Sequence, residues 1–199
     1  AYNNGAGALS ITTTGKTTGG NGHGIYAFNA GSGGTSITVA STGSIETSAD
    51  KGFGIFNNSS GTAAKLNEIT VAGSITTAGK GAHGIYNYGD FNKTILAAGG
   101  SILTTKSNTA GIFQAGDNNT AYISGKVNSG LDLKNSVTGS SALYNASGKN
   151  NTFVLEESGV TIGAISSGND ASNNTLKLND DADFELTIGG APNEGELGQ

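Results

Sequence analysis

The sequence predicts a right-handed parallel β-helix of three-stranded coils, each about 30 residues long and repeated roughly six times. Three observations carry this. A short block recurs at near-constant spacing. Each repeat holds three short β-branched runs separated by turn residues. No window of twelve or more residues carries a helical apolar period.

The clearest block is Gly22-His23-Gly24-Ile25-Tyr26, followed by Gly52-Phe53-Gly54-Ile55-Phe56 and Ala82-His83-Gly84-Ile85-Tyr86. It continues more loosely as Ala110-Gly111-Ile112-Phe113 and Ala142-Leu143-Tyr144. The aliphatic member falls at 25, 55, 85, 112 and 143, in steps of 30, 30, 27 and 31. A second series runs Thr35-Ser36-Ile37-Thr38-Val39, Glu68-Ile69-Thr70-Val71, Lys93-Thr94-Ile95-Leu96 and Ala121-Tyr122-Ile123. A third runs Gly43-Ser44-Ile45, Gly73-Ser74-Ile75, Gly100-Ser101-Ile102 and Gly125-Lys126-Val127; Leu9-Ser10-Ile11 reads as its start and Gly159-Val160-Thr161-Ile162 as a late copy.

Alternation such as Ile37-Thr38-Val39 is the period of a half-buried strand, and the Gly, Ser, Asn and Asp between the runs serve turns. Coils stack at the inter-strand spacing, so six of them make a rod only ~25–30 Å long. With no amphipathic helix to cap its ends, the chain reads as one piece of a longer rod. Leu176-Lys177-Leu178 and Phe184-Glu185-Leu186-Thr187-Ile188 alternate and add two strands. Residues 1–190 therefore form one β-helix domain. Residues 191–199, with Pro192 and the acidic Glu194-Gly195-Glu196, read as a linker or tail.

Composition fits a thin cylinder. The chain has 199 residues, of which 34 are Gly, 1 is Pro and 35% are hydrophobic. A compact globule uses about 45–50% apolar residues. Cys is absent, which excludes a disulfide framework and a thiolate metal site. The net charge is −5 and all ten cations are Lys. Nucleic-acid binding needs clustered cations and favours Arg, so no nucleic-acid partner is expected. No apolar run is long enough to span a membrane, and residues 1–20 lack the basic start and apolar block of a signal peptide.

Gly-rich coils with His-Gly-Ile-Tyr and Gly-Ser-Ile-x-Thr blocks, no Cys and almost no Pro resemble passenger domains of bacterial autotransporters (type V secretion). The resemblance covers about residues 5–190 and rests on repeat style. It implies export to the cell surface or medium, a separate C-terminal β-barrel translocator, and a virulence role as adhesin or host-receptor ligand. The implied partner is a host-cell surface protein or glycan.

One column stands out as a binding candidate. Tyr26, Phe56, Tyr86, Phe113 and Tyr144 each follow the aliphatic residue of their coil. Neighbours in a strand point to opposite faces, so if the aliphatic members face inward the aromatics form an external stripe. Such a stripe suits a partner or sugar rings, and it also suits a purely structural ladder. His23 and His83 hold equivalent positions with Phe53 between them, and Lys51 and Lys80 sit in the turns just before the strand. Two coils separate the histidines by ~9.6 Å, too far to share one metal ion. A pH-responsive patch is one use of such a pair; a plain turn or surface histidine is the simpler one. The expected partner-binding set is thus Tyr26, Phe56, Tyr86, Phe113, His23, Phe53, His83, Lys51 and Lys80.

No catalytic residue, cofactor or metal site is expected. Gly22-His23-Gly24 resembles a piece of the polygalacturonases, which also need clustered Asp pairs and an Arg-x-Lys element. Here no Arg exists, and the only Asp pair, Asp180-Asp181, lies far along the chain from His23. Asp180, Asp181 and Asp183 read as a solvated acidic loop, because the repeat of calcium β-rolls is missing. A polysaccharide-active β-helix enzyme and an ice-binding solenoid are the alternatives. The first lacks paired carboxylates. The second lacks a regular Thr-x-Thr face: Thr12-Thr13-Thr14 and Thr76-Thr77 are out of strict register. Asn57 and Asn87, at matching places, suit turn ladders.

Overall fold

A computed structural model describes residues 1–129 and 140–179. Among the described residues every regular element is a strand, and the strands form three parallel sheets wound as a solenoid of about six coils. No helix long and apolar enough to cross a membrane occurs among them.

Each sheet is one face of the solenoid. The first face takes Tyr2–Asn3, Ile25–Asn29, Ile55–Ser59, Ile85–Tyr88, Ala110–Ala115, Ser141–Lys149 and Ala164–Ser172. The second takes Leu9–Thr13, Thr35–Val39, Asn67–Val71, Asn92–Leu96, Thr120–Ile123, Thr152–Leu155 and Thr175–Leu178. The third takes Lys16–Gly19, Ser44–Thr47, Ser74–Thr77, Ser101–Thr104, Lys126–Asn128 and Val160–Ile162. The chain visits the faces in that order in every coil.

The register joins like to like. Ile25, Ile55, Ile85, Ile112 and Leu143 stack in one column, and Tyr26, Phe56, Tyr86, Phe113 and Tyr144 in the next. Ile45, Ile75, Ile102 and Val127 stack on the third face. All the aliphatic members are buried, so the alternation predicted for these strands holds and the aromatics face outward. A parallel sheet whose inner face packs on two others needs only one apolar stripe per strand, which is why 35% hydrophobic residues suffice.

One run belongs elsewhere. Leu9-Ser10-Ile11 pairs with Thr35-Ser36-Ile37 and lies on the second face. The first third-face strand is Lys16–Gly19, with Thr17 opposite Ile45. A polar residue at that inward position hides the strand from an apolar pattern, and the short Leu-Ser-Ile run mimics Gly-Ser-Ile. The late copy Val160–Ile162 does continue the third face, again with a threonine, Thr161, opposite Val127. Leu176-Lys177-Leu178 forms a strand as expected. Phe184–Ile188, the acidic residues 180–183 and the boundary at 190 lie outside the described residues.

Asparagine does more than turn. Asn57 and Asn87 sit inside strands and point into the core, with Ala27 before them and Gln114 and Asn145 after them in register. Both are fully buried. Asn57 Nδ2 donates to Asn92 Oδ1 at 2.9 Å, and Asn87 Nδ2 donates to Thr94 Oγ1 at 2.9 Å. The expectation of a turn ladder is corrected here: the Nδ2 groups of Asn57 and Asn87 find acceptors on the second face, whereas Asn57 Oδ1 and the side-chain amide of Gln114 are buried without a partner among the described residues.

A second asparagine ladder does mark a corner, at the entry to the second face. The Oδ1 atoms of Asn67, Asn119, Asn151 and Asn174 accept the amide N–H of Thr35, Asn92, Asn119 and Asn151 at 2.8–3.0 Å. Each side chain thereby supplies the acceptor that the preceding coil's backbone needs. Asn119→Ala is expected to cost about 1–3 kcal/mol, because it leaves the buried Asn92 N–H without an acceptor. Thermal unfolding checks this. A loss no larger than that of Asn174→Ala, in the more exposed last described coil, would contradict the ladder's role.

Candidate aromatic binding face

The outer side of the first face is built by a simple local rule. At the corner a glycine precedes the aliphatic residue in four of the coils, with Ala142 in its place in the fifth, and the strand then turns the aliphatic residue inward and the aromatic outward. The glycines Gly24, Gly54, Gly84 and Gly111 are required by close approach. A Cβ on any of them would lie 2.2–2.3 Å from a methyl of Ile45, Ile75, Ile102 or Val127, the third-face residues packed behind the corner. With the glycine there, the strand lies against the third face and its aromatic is presented at the flank.

The presented rings form one connected net. At the corner His23 stacks on Phe53 with centroids 4.8 Å apart, Phe53 stacks on His83 at 5.2 Å, and His83 on Phe113 at 4.5 Å. Along the strands Tyr26, Phe56, Tyr86, Phe113 and Tyr144 follow one another at 4.4–5.3 Å. Phe56 and Tyr86 are parallel, at 10°, whereas the other steps are edge-to-face. Cross-links such as Phe53 to Tyr86 at 5.0 Å tie the corner column to the strand column. Such pairs contribute about 0.5–1.5 kcal/mol each beyond the area they bury.

The structure thus brings together His23, Tyr26, Phe53, Phe56, His83, Tyr86 and Phe113. It also changes what each can offer. Phe53, Phe56, His83, Tyr86 and Phe113 are half-buried because they cover one another. Tyr26 is 40% exposed and Tyr88 is 51% exposed, so the free ring surface lies at the margin of the net. Tyr88, which contacts Tyr86, and Phe28, which is stacked under Tyr2, were not among the residues singled out from the sequence. The signal was available: both stand two residues beyond a column member, on the same side of the strand.

Charge frames this surface. The strands Ile25–Asn29, Ile55–Ser59, Ile85–Tyr88 and Ala110–Ala115 contain no charged residue. Lys51 and Lys80 are exposed in the turns at the corner, where expected. Lys51 holds a left-handed backbone with φ 56°, stacked in the same turn with Gly81 at 65° and Asn108 at 56°. Among the described residues the two ion pairs are Lys16–Glu46 and Lys93–Glu68, neither of which involves these lysines.

The histidines are not plain turn or surface residues. His23 Nδ1 accepts the Phe53 N–H at 3.1 Å, and His83 Nδ1 accepts the Ala110 N–H at 2.8 Å. Each ring caps an amide of the next coil. The reason this escaped the sequence is that an acceptor's partner one coil away leaves no mark in local composition. Burial pushes the His83 pKa down to about 4 and lowers that of His23. Tyr86 is raised by burial and by neighbouring Tyr88. The Phe53 ring lies between the two imidazoles, so they do not face a common point where one metal ion could bind. Among the described residues no group of three or more His, Cys, Asp or Glu is placed to hold a metal.

Fold and flank together define a class: a three-faced parallel β-solenoid carrying an aromatic and histidine ladder along one side. No protein-family model matches the chain, and no curated protein or solved structure matches it.

Proposed function

We propose that the chain is part of a secreted or surface-displayed autotransporter passenger that binds a host-cell surface protein through this aromatic flank. In this reading it is a binding module, not an enzyme, and a separate C-terminal β-barrel carries it across the outer membrane. The observation that supports it is an aromatic net that spans five coils, lies on a sheet face whose four strands from Ile25–Asn29 to Ala110–Ala115 carry no charged residue, and leaves tyrosine rings exposed at its margin. Exposed aromatics on a rigid backbone bury large area at low entropic cost and dominate protein interfaces. A protein fits better than a glycan. Sugar rings pack on open aromatic faces, and the stacked rings here spend their faces on each other. The lysines at the corner add charge complementarity to an acidic partner, mainly in the association rate.

The test is a pull-down of host-cell surface proteins with the purified chain, run beside a glycan panel. Tyr26→Ala and Tyr88→Ala are the informative variants, since both rings are exposed enough to remove without unfolding the coil. Each is expected to weaken binding of a captured protein by about 2 kcal/mol if it is a hot spot. Unchanged capture by the double variant, with thermal stability intact, would make the net a structural ladder only.

A further inference from the structure

We infer that His23 and His83 form an acid-sensitive catch that keeps the aromatic flank in register at neutral pH and releases it in acid. The inference deepens the proposed binding role and rests on it for its biological meaning. It starts from two hydrogen bonds. Nδ1 of His23 accepts the Phe53 N–H, and Nδ1 of His83 accepts the Ala110 N–H. An imidazole that accepts through Nδ1 is neutral and carries its proton on Nε2, so these bonds assign the tautomer. Protonation places a hydrogen on Nδ1. The acceptor becomes a donor aimed at another donor, and the bond between coils is lost.

The ring cannot turn away freely. His83 is stacked between Phe53 and Phe113 and touches Tyr86 edge-on, and His23 contacts Phe53, Tyr26 and Phe56. Moving His83 breaks the corner's stacking on Phe113 and its contact with Tyr86, and moving His23 breaks its contacts with Tyr26 and Phe56, while Phe53 keeps its own links to Phe56 and Tyr86. Among the described residues no carboxylate forms an ion pair with either imidazole. Among the described residues the charged side chains in the turns of this corner are Asp50, Lys51, Lys80 and Lys106, and the titratable ring neighbours are Tyr26 for His23 and Tyr86 for His83. Asp50 Oδ1 already accepts the Lys80 N–H at 2.8 Å. Added positive charge on the imidazoles is opposed by their burial among the rings.

The sign follows from burial. The folded state holds His83 below its ordinary 6.5, at about 4, and lowers His23 in the same direction. The unfolded or opened corner binds the proton more readily. The stabilisation is complete above pH ~6.5 and is lost as the pH falls from there toward about 4. For His83, lowered from 6.5 to about 4, that amounts to about three hundredfold in the closing equilibrium once the pH is below about 4. Partner capture by the flank should fall in the same window.

Hydrogen exchange on the full chain without any partner tests this directly. Protection factors of the Phe53 and Ala110 amides are compared at about pH 7.5 and about pH 4.5, with imidazole ¹⁵N shifts recorded alongside. The expected result is an Nε2–H tautomer at the higher pH and at least about a tenfold loss of Ala110 protection at the lower. The amide of Ile69, on the second face, should show no such loss. His83→Asn keeps an acceptor at the position of Nδ1 without titrating, and His83→Phe copies the natural Phe53; both should make Ala110 protection independent of pH. The catch is overturned if Ala110 protection stays level while His83 protonates, or if the acid loss persists undiminished in a folded variant of either kind. Failure of the exchange experiment leaves Tyr26-dependent capture untouched, and failure of capture leaves the exchange result standing.

Discussion

Ile55→Ala is expected to destabilise the solenoid by about 2–5 kcal/mol, read as a lower urea midpoint at unchanged slope. Ile55 is fully buried and stacks between Ile25 and Ile85 in the inner column of the first face. Removing three carbons loses their transfer free energy and opens a cavity. That cavity cannot collapse easily, because coils above and below hold the backbone at the sheet spacing. Ile11→Ala in the first coil is the internal comparison. Ile11 is only partly buried at the end of the second face, so its loss should be smaller. A cost for Ile55→Ala under about half a kilocalorie per mole would mean that the column is not packed as described.

The second large effect is expected from Gly54→Ala, at about 3 kcal/mol or more. The added Cβ would stand 2.3 Å from Ile75 Cγ2 and 2.5 Å from the Gly84 carbonyl oxygen. Rotating Ile75 relieves the first contact only. The second is backbone, hydrogen-bonded to Ile55 N–H at 2.9 Å, so the next coil must shift to make room. Gly22→Ala, at the same corner one coil earlier, meets nothing within 4 Å and should change stability by no more than about 0.5 kcal/mol. The double variant Gly54→Ala, Ile75→Ala separates the two contacts by its coupling energy. Partial recovery is expected, because the carbonyl contact remains. If Gly54→Ala were as mild as Gly22→Ala, the glycine column would be a matter of composition and not of packing.

Both variants probe features that the sequence displayed to different degrees. The Ile25, Ile55, Ile85, Ile112 and Leu143 column was legible, and so was the outward turn of Tyr26, Phe56, Tyr86, Phe113 and Tyr144. Period-two alternation says which neighbours share a side, and the spacing of about 30 residues says which positions meet between coils. In a solenoid those two rules cover most contacts, because each coil packs chiefly on its own copy. The rules failed where a strand lacked the apolar mark. Lys16–Gly19 carries Thr17 inward, so Leu9–Ile11 was assigned to its face.

The repeat in the sequence determined the architecture, the register from one coil to the next, and the outward side of the aromatic column. Tertiary structure alone decided that Asn57 and Asn87 lie in the core, where Asn92 and Thr94 of another face supply partners. It alone decided that Gly24, Gly54, Gly84 and Gly111 are glycine because third-face methyls occupy the space of a side chain. It also decided that His23 and His83 each hold an amide of the next coil, and that Tyr26 and Tyr88 keep the free ring surface. The physical reason is common to all of these. Contacts between equivalent positions recur with the repeat and leave a period in the sequence. A contact between faces, or between a side chain and a backbone amide, joins positions of unlike chemistry, and only the closing of the coil in three dimensions puts them within reach.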